Sequence, residues 1–580
     1  MAYRYLALLH PAAGAQAPSI DEATHRLHPL RMQCHRPTTG CTLYASADTP
    51  VIVLPGQGLV LGHVFSRRGT PLTHARQFPP CPTPGDLRRH ILDNCWGAYL
   101  IVQVDPTRAD RLTFQRDPEG GMPCLHRIAD GSGFVASDVE LPVHLGCYRR
   151  SIDWDAIGHR LLYPDIKTAR TGLAGIRELL PGTRMDVQEG RTTLQAQWSP
   201  WDVINLQNPY ASAREAADAV RAAVGMVTRA WAGVDRSILL ELSGGLDSSV
   251  VGISLKDSAA EVACCTLVTP VPGADERRYA SQVAALIGAP LDAQVMGLES
   301  VAHDFDVAPW TATPRVGMLQ HATDAIMEQA RHRHAATSFF SGGGGDTVFC
   351  YLTSAAPAVD AFRQRGAAQA MRAIRDLAGL HQCTVWKAGR LALRRQLRAP
   401  GPPCRPTDEF ITPARAPCAP DLHPWLELPG RALPGERERI FALAATQIYR
   451  ESAPRAMRAH LRLPLLSQPV MEATLRAPSW MWIAGAQNRS LVRQAYADLL
   501  PQAILARRSK GSFTGYIGAL HARHRPRLRE FLLDGMLHAQ GIVDGASLER
   551  CFEREPSPRD RSIGRILELC AVENWARHQS

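Results

Sequence analysis

At 580 residues the chain is longer than one hydrophobic core usually supports, so two or more domains are expected. Hydrophobic residues make up 45% of it, as in ordinary folded proteins, and no run of about 18 apolar residues predicts a membrane-spanning helix. A formal charge of +10 is a small surplus for this length, and no zinc-finger, RNP or helix-turn-helix spacing indicates nucleic-acid binding.

The start of the chain and its cysteines indicate a cytoplasmic protein. Residues 1–6 are typical of a strand, not of a charged segment followed by an apolar signal core. The 14 cysteines are scattered, with no CxxC pair, and Cys264 and Cys265 lie within an apolar run. We therefore expect reduced, mostly buried thiols, with neither nucleic acid nor membrane as a partner.

The first third of the chain is rich in predicted strands. Short β-like runs alternate with Gly, Pro and Asp turns, as at Val51–Leu54, Gly97–Val104 and Gly133–Ser137. This pattern predicts a strand-rich N-terminal domain over residues 1–197.

From residue 198 onward the pattern changes to helices alternating with strands. Residues 211–230 have an Ala-rich helical periodicity, and the apolar strand Ile238–Leu242 follows. Alternation of this kind is typical of a parallel α/β sheet, which we expect over residues 198–580.

One segment of the second domain is strongly basic. Residues 361–400 have a helical composition and carry nine basic residues against one acid, Asp376. The simplest interpretation is a solvated helical face. The Pro-rich residues 399–424 after it indicate an irregular loop. The nine basic residues are Arg363, Arg365, Arg372, Arg375, Lys387, Arg390, Arg394, Arg395 and Arg398.

A loop of small residues follows the apolar strand and indicates a phosphate site. Its members are Ser243, Gly244, Gly245, Leu246, Asp247, Ser248 and Ser249. Small residues let backbone N–H groups close around an oxyanion at a helix N-terminus. A carboxylate would repel phosphate unless a cation lies between them, so Asp247 is a candidate Mg²⁺ ligand. The alternative is a plain Gly-Gly turn.

A second loop follows the apolar run Thr337–Phe340. It contains Gly342, Gly343, Gly344 and Gly345 and ends in Asp346. Glycines suit a backbone pressed against a ligand, and Asp346 would be the second Mg²⁺ carboxylate. Alone, such a run could be a flexible linker. The lack of a Walker lysine and of dinucleotide-fingerprint spacing argues against P-loop and Rossmann sites.

The two loops, in this order, resemble the ATP-pyrophosphatase domain of class B asparagine synthetases and of their relatives, the β-lactam synthetases and lasso-peptide macrolactam synthetases. The resemblance extends over most of the chain: the other segments that carry it are Asp275–Gly288, His460–Leu466, Arg507–Phe513, Trp96–Tyr99, Arg116–Gly120, Phe134–Asp138 and Leu179–Gly182. It implies an α/β fold, with an N-terminal glutamine-amidotransferase-like (Ntn-type) domain before the C-terminal ATP-pyrophosphatase domain.

Three departures from the family pattern bear on the reaction. The amidotransferases use a cysteine at residue two as nucleophile, and this chain has Ala2, so glutamine hydrolysis is not expected. Gly343 stands where asparagine synthetases have Glu and β-lactam synthetases have Tyr. His460 replaces the Glu that usually precedes the Arg-x-Pro segment.

The all-glycine second loop is most similar to that of the lasso-peptide macrolactam synthetases. This resemblance implies an ATP- and Mg²⁺-dependent carbon–nitrogen ligase that adenylates an Asp or Glu side chain of a core peptide, whose own N-terminal amine then attacks. The glycine loop would leave room for a threaded peptide. The implied partners are the precursor peptide, a leader-peptide recognition element and a cysteine protease.

The same resemblance suggests roles for further residues. Lys510 would stabilise the phosphates and the tetrahedral intermediate, and the alternative is an ordinary surface lysine. His460 would accept a proton from the attacking amine, unless it is a structural histidine. Asp275 and Glu276 would orient a lysine or ammonium group, or cap a helix.

Two other functions stay open at this stage. The first is an ammonia-dependent asparagine synthetase or another small-molecule amide synthetase. The second is a catalytically silent scaffold or binding paralogue, which the retention of Asp247 and Asp346 disfavours.

Overall fold

The fold was analysed in a computed structural model of the chain. It describes residues 3–10, 19–38, 40–105, 108–205, 209–271, 275–298, 311–314, 319–398, 404–412, 419–450, 454–508, 511, 513–554, 560 and 562–579.

The N-terminal part consists mainly of strands. Its helices are α1 (Ile20–Leu27), α2 (Pro84–Asn94), α3 (Glu140–His144) and α4 (Trp154–Leu162). Its strands are β1 (Tyr5–Leu9), β2 (Met32–Thr38), β3 (Cys41–Ser46), β4 (Val51–Leu54), β5 (Gly58–Gly62), β6 (Val64–Ser66), β7 (Pro71–Leu72), β8 (Cys95–Trp96), β9 (Tyr99–Asp105), β10 (Arg108–Arg116), β11 (Leu125–Ala129), β12 (Ser132–Ala136), β13 (Arg177–Glu178), β14 (Thr183–Gln188) and β15 (Arg191–Ala196).

Two antiparallel six-stranded sheets share one core in this part. Their strand orders are β13-β11-β12-β1-β3-β2 and β15-β14-β10-β9-β5-β4. Strand β9 is apolar on both faces because both faces are covered. Leu100 and Val102 belong to the core shared by the sheets, whereas Tyr99 and Ile101 pack with Ile91 of α2. The strands predicted near Val51, Gly97 and Gly133 correspond to β4, β9 and β12.

The C-terminal part alternates helices and strands. Its strands are β16 (Ser237–Glu241), β17 (Glu261–Val268), β18 (Leu291–Val295), β19 (Ser338–Ser341), β20 (His460–Arg462), β21 (Ile483–Ala484) and β22 (Gln487–Asn488). Its helices are α5 (Pro200–Asn205), α6 (Ala213–Asp235), α7 (Leu246–Leu255), α8 (Arg277–Ile287), α9 (Leu319–Arg333), α10 (Gly345–Val348), α11 (Ala356–Arg365), α12 (Ala367–Leu380), α13 (Val385–Leu397), α14 (Pro434–Arg450), α15 (Gln468–Leu475), α16 (Ser490–Ala495), α17 (Gln502–Leu505), α18 (Thr514–Leu533), α19 (Met536–Ala539), α20 (Gly545–Glu553) and α21 (Ser562–Arg577).

The central sheet of this part is parallel, as the sequence pattern predicts. Its order is β18-β17-β16-β19-β20, so the chain builds outward from β16 on one side and then returns to add β19 on the other. Ligands of open α/β sheets bind at the carboxyl ends of the strands where the order reverses. In this sheet that place is at the carboxyl ends of the neighbouring strands β16 and β19. The α/β fold class predicted from the sequence is confirmed.

The two parts meet around Trp231 of α6. Its ring lies 4.9 Å from the ring of Phe65 and 6.1 Å from that of Trp96, both from the N-terminal strands. The guanidinium carbon of Arg462 lies 4.0 Å from the centre of the same ring. One hydrophobic cluster therefore runs through both parts of the molecule.

Two further expectations concern bulk properties. The described cysteines are all free, and Cys264 and Cys265 are buried, as expected for reduced thiols. Among the described residues, no helix combines the length and apolar character needed to cross a membrane.

Candidate active site

The first small-residue loop caps helix α7 at the carboxyl end of β16. Gly244 has a φ of +68° and lies against α8, where an added Cβ would come 2.6 Å from the backbone nitrogen of Ala280. Ser243 Oγ accepts a hydrogen bond from the backbone N–H of Gly245 at 3.3 Å and lies 3.1 Å from Ser248 Oγ. Asp247 falls in the first turn of α7, where backbone N–H groups have no acceptor within the helix. The loop therefore presents donors to an anion.

The second loop lies directly against the first. A Cβ on Gly342 would come 2.5 Å from the backbone nitrogen of Ser248, and one on Gly345 would come 2.4 Å from Cγ of Asp247. Gly344 likewise packs on Leu466. Glycine at these positions is thus required by contact between the loops and their neighbours. That the loop leaves room for a peptide at Gly343 stays a prediction.

The loop contact brings the two candidate metal carboxylates together around one guanidinium. Arg489 Nη1 donates to Asp247 at 3.0 and 3.1 Å and to Asp346 Oδ1 at 2.7 Å. The Asp247 side chain is only 13% exposed, whereas that of Asp346 is 47% exposed. The site therefore holds a partly buried and a solvent-facing carboxylate, and a positive group offsets their mutual repulsion.

The donor set of this site fits Mg²⁺ bound together with phosphates. Magnesium is commonly held by one or two protein carboxylates plus substrate phosphates. Within the described part of the chain, no cluster of three or more His, Cys, Asp or Glu side chains forms an all-protein metal cage. The positively charged guanidinium of Arg489 pairs with both Asp247 and Asp346, so the two carboxylates are close enough to share one positive group.

Two residues at the start of α8, Glu276 and Tyr279, hold the segment that carries Arg507 and Gly511. Arg507 donates to the Glu276 carboxylate, and its guanidinium carbon lies 4.2 Å from the centre of the Tyr279 ring. The backbone N–H of Gly511 donates to Glu276 Oε1 at 2.8 Å. Glu276 thus tethers this segment to the start of α8. Lys510 lies outside the described residues, so its role stays a prediction, as does the effect of Ala2.

Arg493 supports the same region from α16. Its guanidinium donates to the backbone oxygens of Asn488, Leu505 and Arg507. Burial and the neighbouring charge of Arg489 lower the pKa of Arg493 to about 10. The side chain therefore joins the loop before α16 to the segment after α17.

The two loops line a cleft that is partly open to solvent. Its enclosed volume is about 330 Å³. Its lining includes the four arginines Arg489, Arg493, Arg507 and Arg508. It also includes uncharged and weakly basic groups, among them Tyr351, Leu352, Thr353, Leu380, His381 and Ala486.

His460 lies away from both loops. It begins β20 and pairs with Ser338, the first residue of β19, so it is at the amino end of the parallel sheet, whereas the loops follow the carboxyl end. Its ring lies 4.2 Å from that of Tyr3, and burial together with Arg462 lowers its pKa to about 4. The structure therefore does not bring His460 to the candidate site, and we assign it no part in the chemistry there.

His460 instead borders a cavity of about 150 Å³ between the two parts of the molecule. Asp138 and Arg450 also line this cavity. Nearby, burial raises the pKa of Cys124 to about 11, so this thiol does not supply a thiolate at neutral pH.

The sequence analysis did not single out Arg489 or Arg493. Arg489 starts α16 with a φ of 52°, far along the chain from Asp247 and Asp346. A left-handed non-glycine residue is uncommon and often marks a functional site, but that signal exists only in three dimensions. For Glu276 the sequence suggests an orienting or capping role, whereas the structure shows a tether.

Comparison with known proteins gives the family of the chain. No curated protein matches the chain at a significant level. Among solved structures, it is similar to the allosteric regulatory enzyme of purine biosynthesis, at 10% identity and a TM-score of 0.22, over 50% of this chain and 80% of that one. It is also similar to glutamine phosphoribosylpyrophosphate amidotransferase from B. subtilis complexed with ADP and GMP, at 11% identity and a TM-score of 0.23, over 59% of this chain and 81% of that one. The asparagine synthase family model matches residues 215–577, which include both loops, Arg489 and Glu276. The chain belongs to the asparagine synthase family.

Proposed function

We propose that this enzyme closes a macrolactam ring in a peptide, as the lasso-peptide macrolactam synthetases do. Membership of the asparagine synthase family implies an ATP-dependent ligase that releases AMP. In the proposed reaction, a side-chain carboxylate of an Asp or Glu in the core peptide becomes an acyl-adenylate. The N-terminal amine of the same peptide then forms the isopeptide bond.

The chemistry has two balanced steps. A carboxylate oxygen attacks the α-phosphorus of ATP, and the bond to pyrophosphate breaks. The amine then attacks the acyl carbon, loses a proton, and the bond to AMP breaks. Adenylation is needed because a carboxylate by itself is a poor electrophile.

The residues around the two loops suit the first of these steps. The backbone donors at the start of α7 and the Arg507 guanidinium face the cleft and stabilise departing pyrophosphate. Asp247 and Asp346 would hold Mg²⁺, which supplies positive charge against the phosphates when it is bound. Arg489 must then release at least part of its contact with these carboxylates, and its charge stays beside the phosphates.

The exposed, uncharged lining at one side of the cleft is the observation that supports a peptide substrate. The enclosed part of the cleft measures about 330 Å³, within the range of about 300–1000 Å³ that is common for small-ligand pockets. Tyr351 and His381 line the cleft and are both exposed, so the cleft opens to solvent there. A substrate longer than free aspartate can therefore extend out of the cleft past these two side chains.

The proposed substrate implies which proteins must act before this enzyme. A peptide with a free N-terminal amine must be cut from a precursor, so a protease acts before this enzyme, and the resemblance to the lasso-peptide macrolactam synthetases implies a cysteine protease. A leader-peptide recognition element would deliver the precursor. Both are partners within the proposal.

The test is a mass measurement on products. The purified enzyme is incubated with Mg²⁺, ATP and a synthetic core peptide taken from the precursor encoded beside its gene. We expect AMP, pyrophosphate and a peptide lighter by one water. Acetylation of the N-terminal amine should stop the mass loss, and Asp247→Ala or Asp346→Ala should abolish it.

A matched variant separates site effects from general damage. Asp275→Ala removes an exposed carboxylate that pairs only locally with Arg277, so we expect nearly normal turnover. ADP and phosphate as products would reject the activation step. Asparagine formed from free aspartate and ammonium, without any peptide product, would favour the small-molecule alternative.

A further inference from the structure

A basic and apolar surface lies on the three helices that follow the second loop. Helices α11, α12 and α13 pack around small residues such as Ala361, Ala373 and Ala392. This unit spans most of the basic segment noted in the sequence. The proposed reaction leaves the surface of α13 without a role.

Three apolar side chains form a line on the outer face of α13, which we name the α13 stripe. They are Trp386, Leu393 and Leu397, and they are 90%, 59% and 76% exposed. Their spacings of seven and four residues put them on one helical face, over about 16 Å of helix length. Ala388 and Ala392 point to the opposite, buried side. The stripe therefore does not contribute to the helical unit's own core.

The stripe has a basic flank formed by Lys387, Arg390 and Arg394. All three residues are exposed. Within the described ranges, no carboxylate forms an ion pair with any of them, in contrast to Arg395, which pairs with Glu438 at 2.8 Å. Exposed aromatic and aliphatic side chains beside unpaired cations are typical of a binding surface.

The α13 stripe begins next to the active-site cleft. Leu380 ends α12 and His381 follows it, and both line the cleft. Trp386 then lies in the first turn of α13. A chain seated along the stripe would therefore lead toward Tyr351 and His381 in the cleft lining.

We propose that the α13 stripe and its basic flank bind an acidic, amphipathic segment of the peptide substrate, outside the part that reacts. This inference rests on the proposed function, because it assigns the surface to that same substrate. Apolar side chains of the segment cover Trp386, Leu393 and Leu397. Its carboxylates meet Lys387, Arg390 and Arg394, as charge complementarity requires.

Other occupants fit the surface less well. A second copy of the chain would bring one basic face against another, since residues 361–400 carry nine basic residues and one acid. A membrane-surface helix inserts a broad apolar face with its cations on the opposite side. Here the apolar side chains that are more than half exposed form a single line, whereas Val385 and Leu391, each 43% exposed, lie on other faces of the helix. By helical spacing Arg390 projects beside Trp386 and Leu397.

The test is binding of a defined probe to the full-length protein without nucleotide. The probe is a fluorescein-labelled helical peptide with leucine on one face and glutamate on the other, and fluorescence anisotropy reports its affinity. We expect the combined Trp386→Ala, Leu393→Ala and Leu397→Ala variant to bind at least about tenfold more weakly. Lys387→Gln with Arg390→Gln and Arg394→Gln should weaken binding and reduce its salt dependence.

Matched controls use exposed apolar side chains elsewhere. Val53→Ala and Leu194→Ala remove residues that are 58% and 46% exposed in the N-terminal part, and they should leave binding unchanged. All the substituted side chains lie on the surface, so circular dichroism should show a native fold. A probe in which every glutamate is glutamine should bind much more weakly than the acidic one.

Each remaining outcome decides against one proposal. Equal binding of the probe by wild type and the α13 variants would contradict the proposal that the α13 stripe is a binding surface. Binding of wild type to phosphatidylglycerol vesicles but not to the peptide, with loss in the α13 variants, would replace it by a membrane surface. A protein that binds the probe through α13 but forms no isopeptide would count against the proposed reaction alone, because probe binding needs neither ATP nor turnover.

Discussion

The backbone of Gly345 packs against the side chain of Asp247, so closely that a Cβ on Gly345 would lie 2.4 Å from Cγ of the carboxylate. The position of the Asp247 carboxylate therefore depends on the absence of a side chain at Gly345, on the other loop. A contact this close leaves Asp247 no way to stay in place if the glycine is enlarged.

We accordingly expect Gly345→Ala to lower the rate of ATP–pyrophosphate exchange, in the presence of the acceptor substrate, by about 100-fold or more, because displacement by about 1 Å is enough for such a loss. Gly343→Ala is the control, since its Cβ would face only the flexible Leu463 side chain at 3.1 Å. Equal rates in the two variants would show that the loop contact does not position Asp247.

A second prediction concerns Arg489 as the counter-charge of the metal carboxylates. Arg489→Ala leaves Asp247 and Asp346 without the guanidinium that bridges them. Mg²⁺ alone should then raise the melting temperature of the variant by roughly 2 °C or more above its effect on wild type. Differential scanning fluorimetry measures this shift. Arg277→Ala, which breaks an exposed pair, should respond like wild type.

A third prediction is that glutamine does not donate the nitrogen. Ala2 carries no thiol, and the buried Cys124 thiol has a pKa raised to about 11. Incubation with glutamine, ATP and Mg²⁺ should release no glutamate above background. Glutamate formed in step with AMP would contradict this prediction.

A fourth prediction concerns the pH dependence of folding stability. Burial and the nearby Arg462 lower the pKa of His460 to about 4, below its value in the unfolded chain. The unfolded state therefore binds a proton first as the pH falls below about 6.5, so stability decreases from there down to about pH 4. Between pH 7 and pH 5 this single group contributes a loss of up to about 2 kcal/mol.

The measurement compares wild type with His460→Gln by urea unfolding at pH 7 and pH 5. The variant should lose less stability on acidification, because its side chain does not titrate. His25→Gln is the control, since this histidine lies on the exposed side of α1. If His460→Gln and wild type lose the same stability between pH 7 and pH 5, His460 is not a cause of that loss.

Much of the site could be predicted because its signals are local. An apolar strand followed by Ser, Gly and Asp residues indicates a ligand loop, and β16 and β19 each end directly before such a loop. The adjacency of the loops follows from strand order, which places β19 beside β16. The pattern of alternating elements predicts a parallel sheet of this kind.

The parts that the sequence could not predict depend on contacts between distant segments. Arg489 is one of 65 basic residues, and its approach to Asp247 depends on how α16 packs. His460 stands within a family-like segment, but the end of the sheet at which it lies is fixed by its pairing with Ser338. The need for glycine at residues 342 and 345 could not be predicted either, because the contact partners of Gly342 and Gly345 lie on the other loop.

The enclosure of Trp231 ties the two parts of the molecule together through one side chain. Phe65 and Trp96 cover one side of this indole and Arg462 of the C-terminal part covers another, while Asp235 accepts a hydrogen bond from Arg462 at 2.8 Å. Removal of the N-terminal part would expose this indole to water. The N-terminal strands therefore contribute to the stability of the C-terminal part by covering its apolar surface, whatever chemistry they carry themselves.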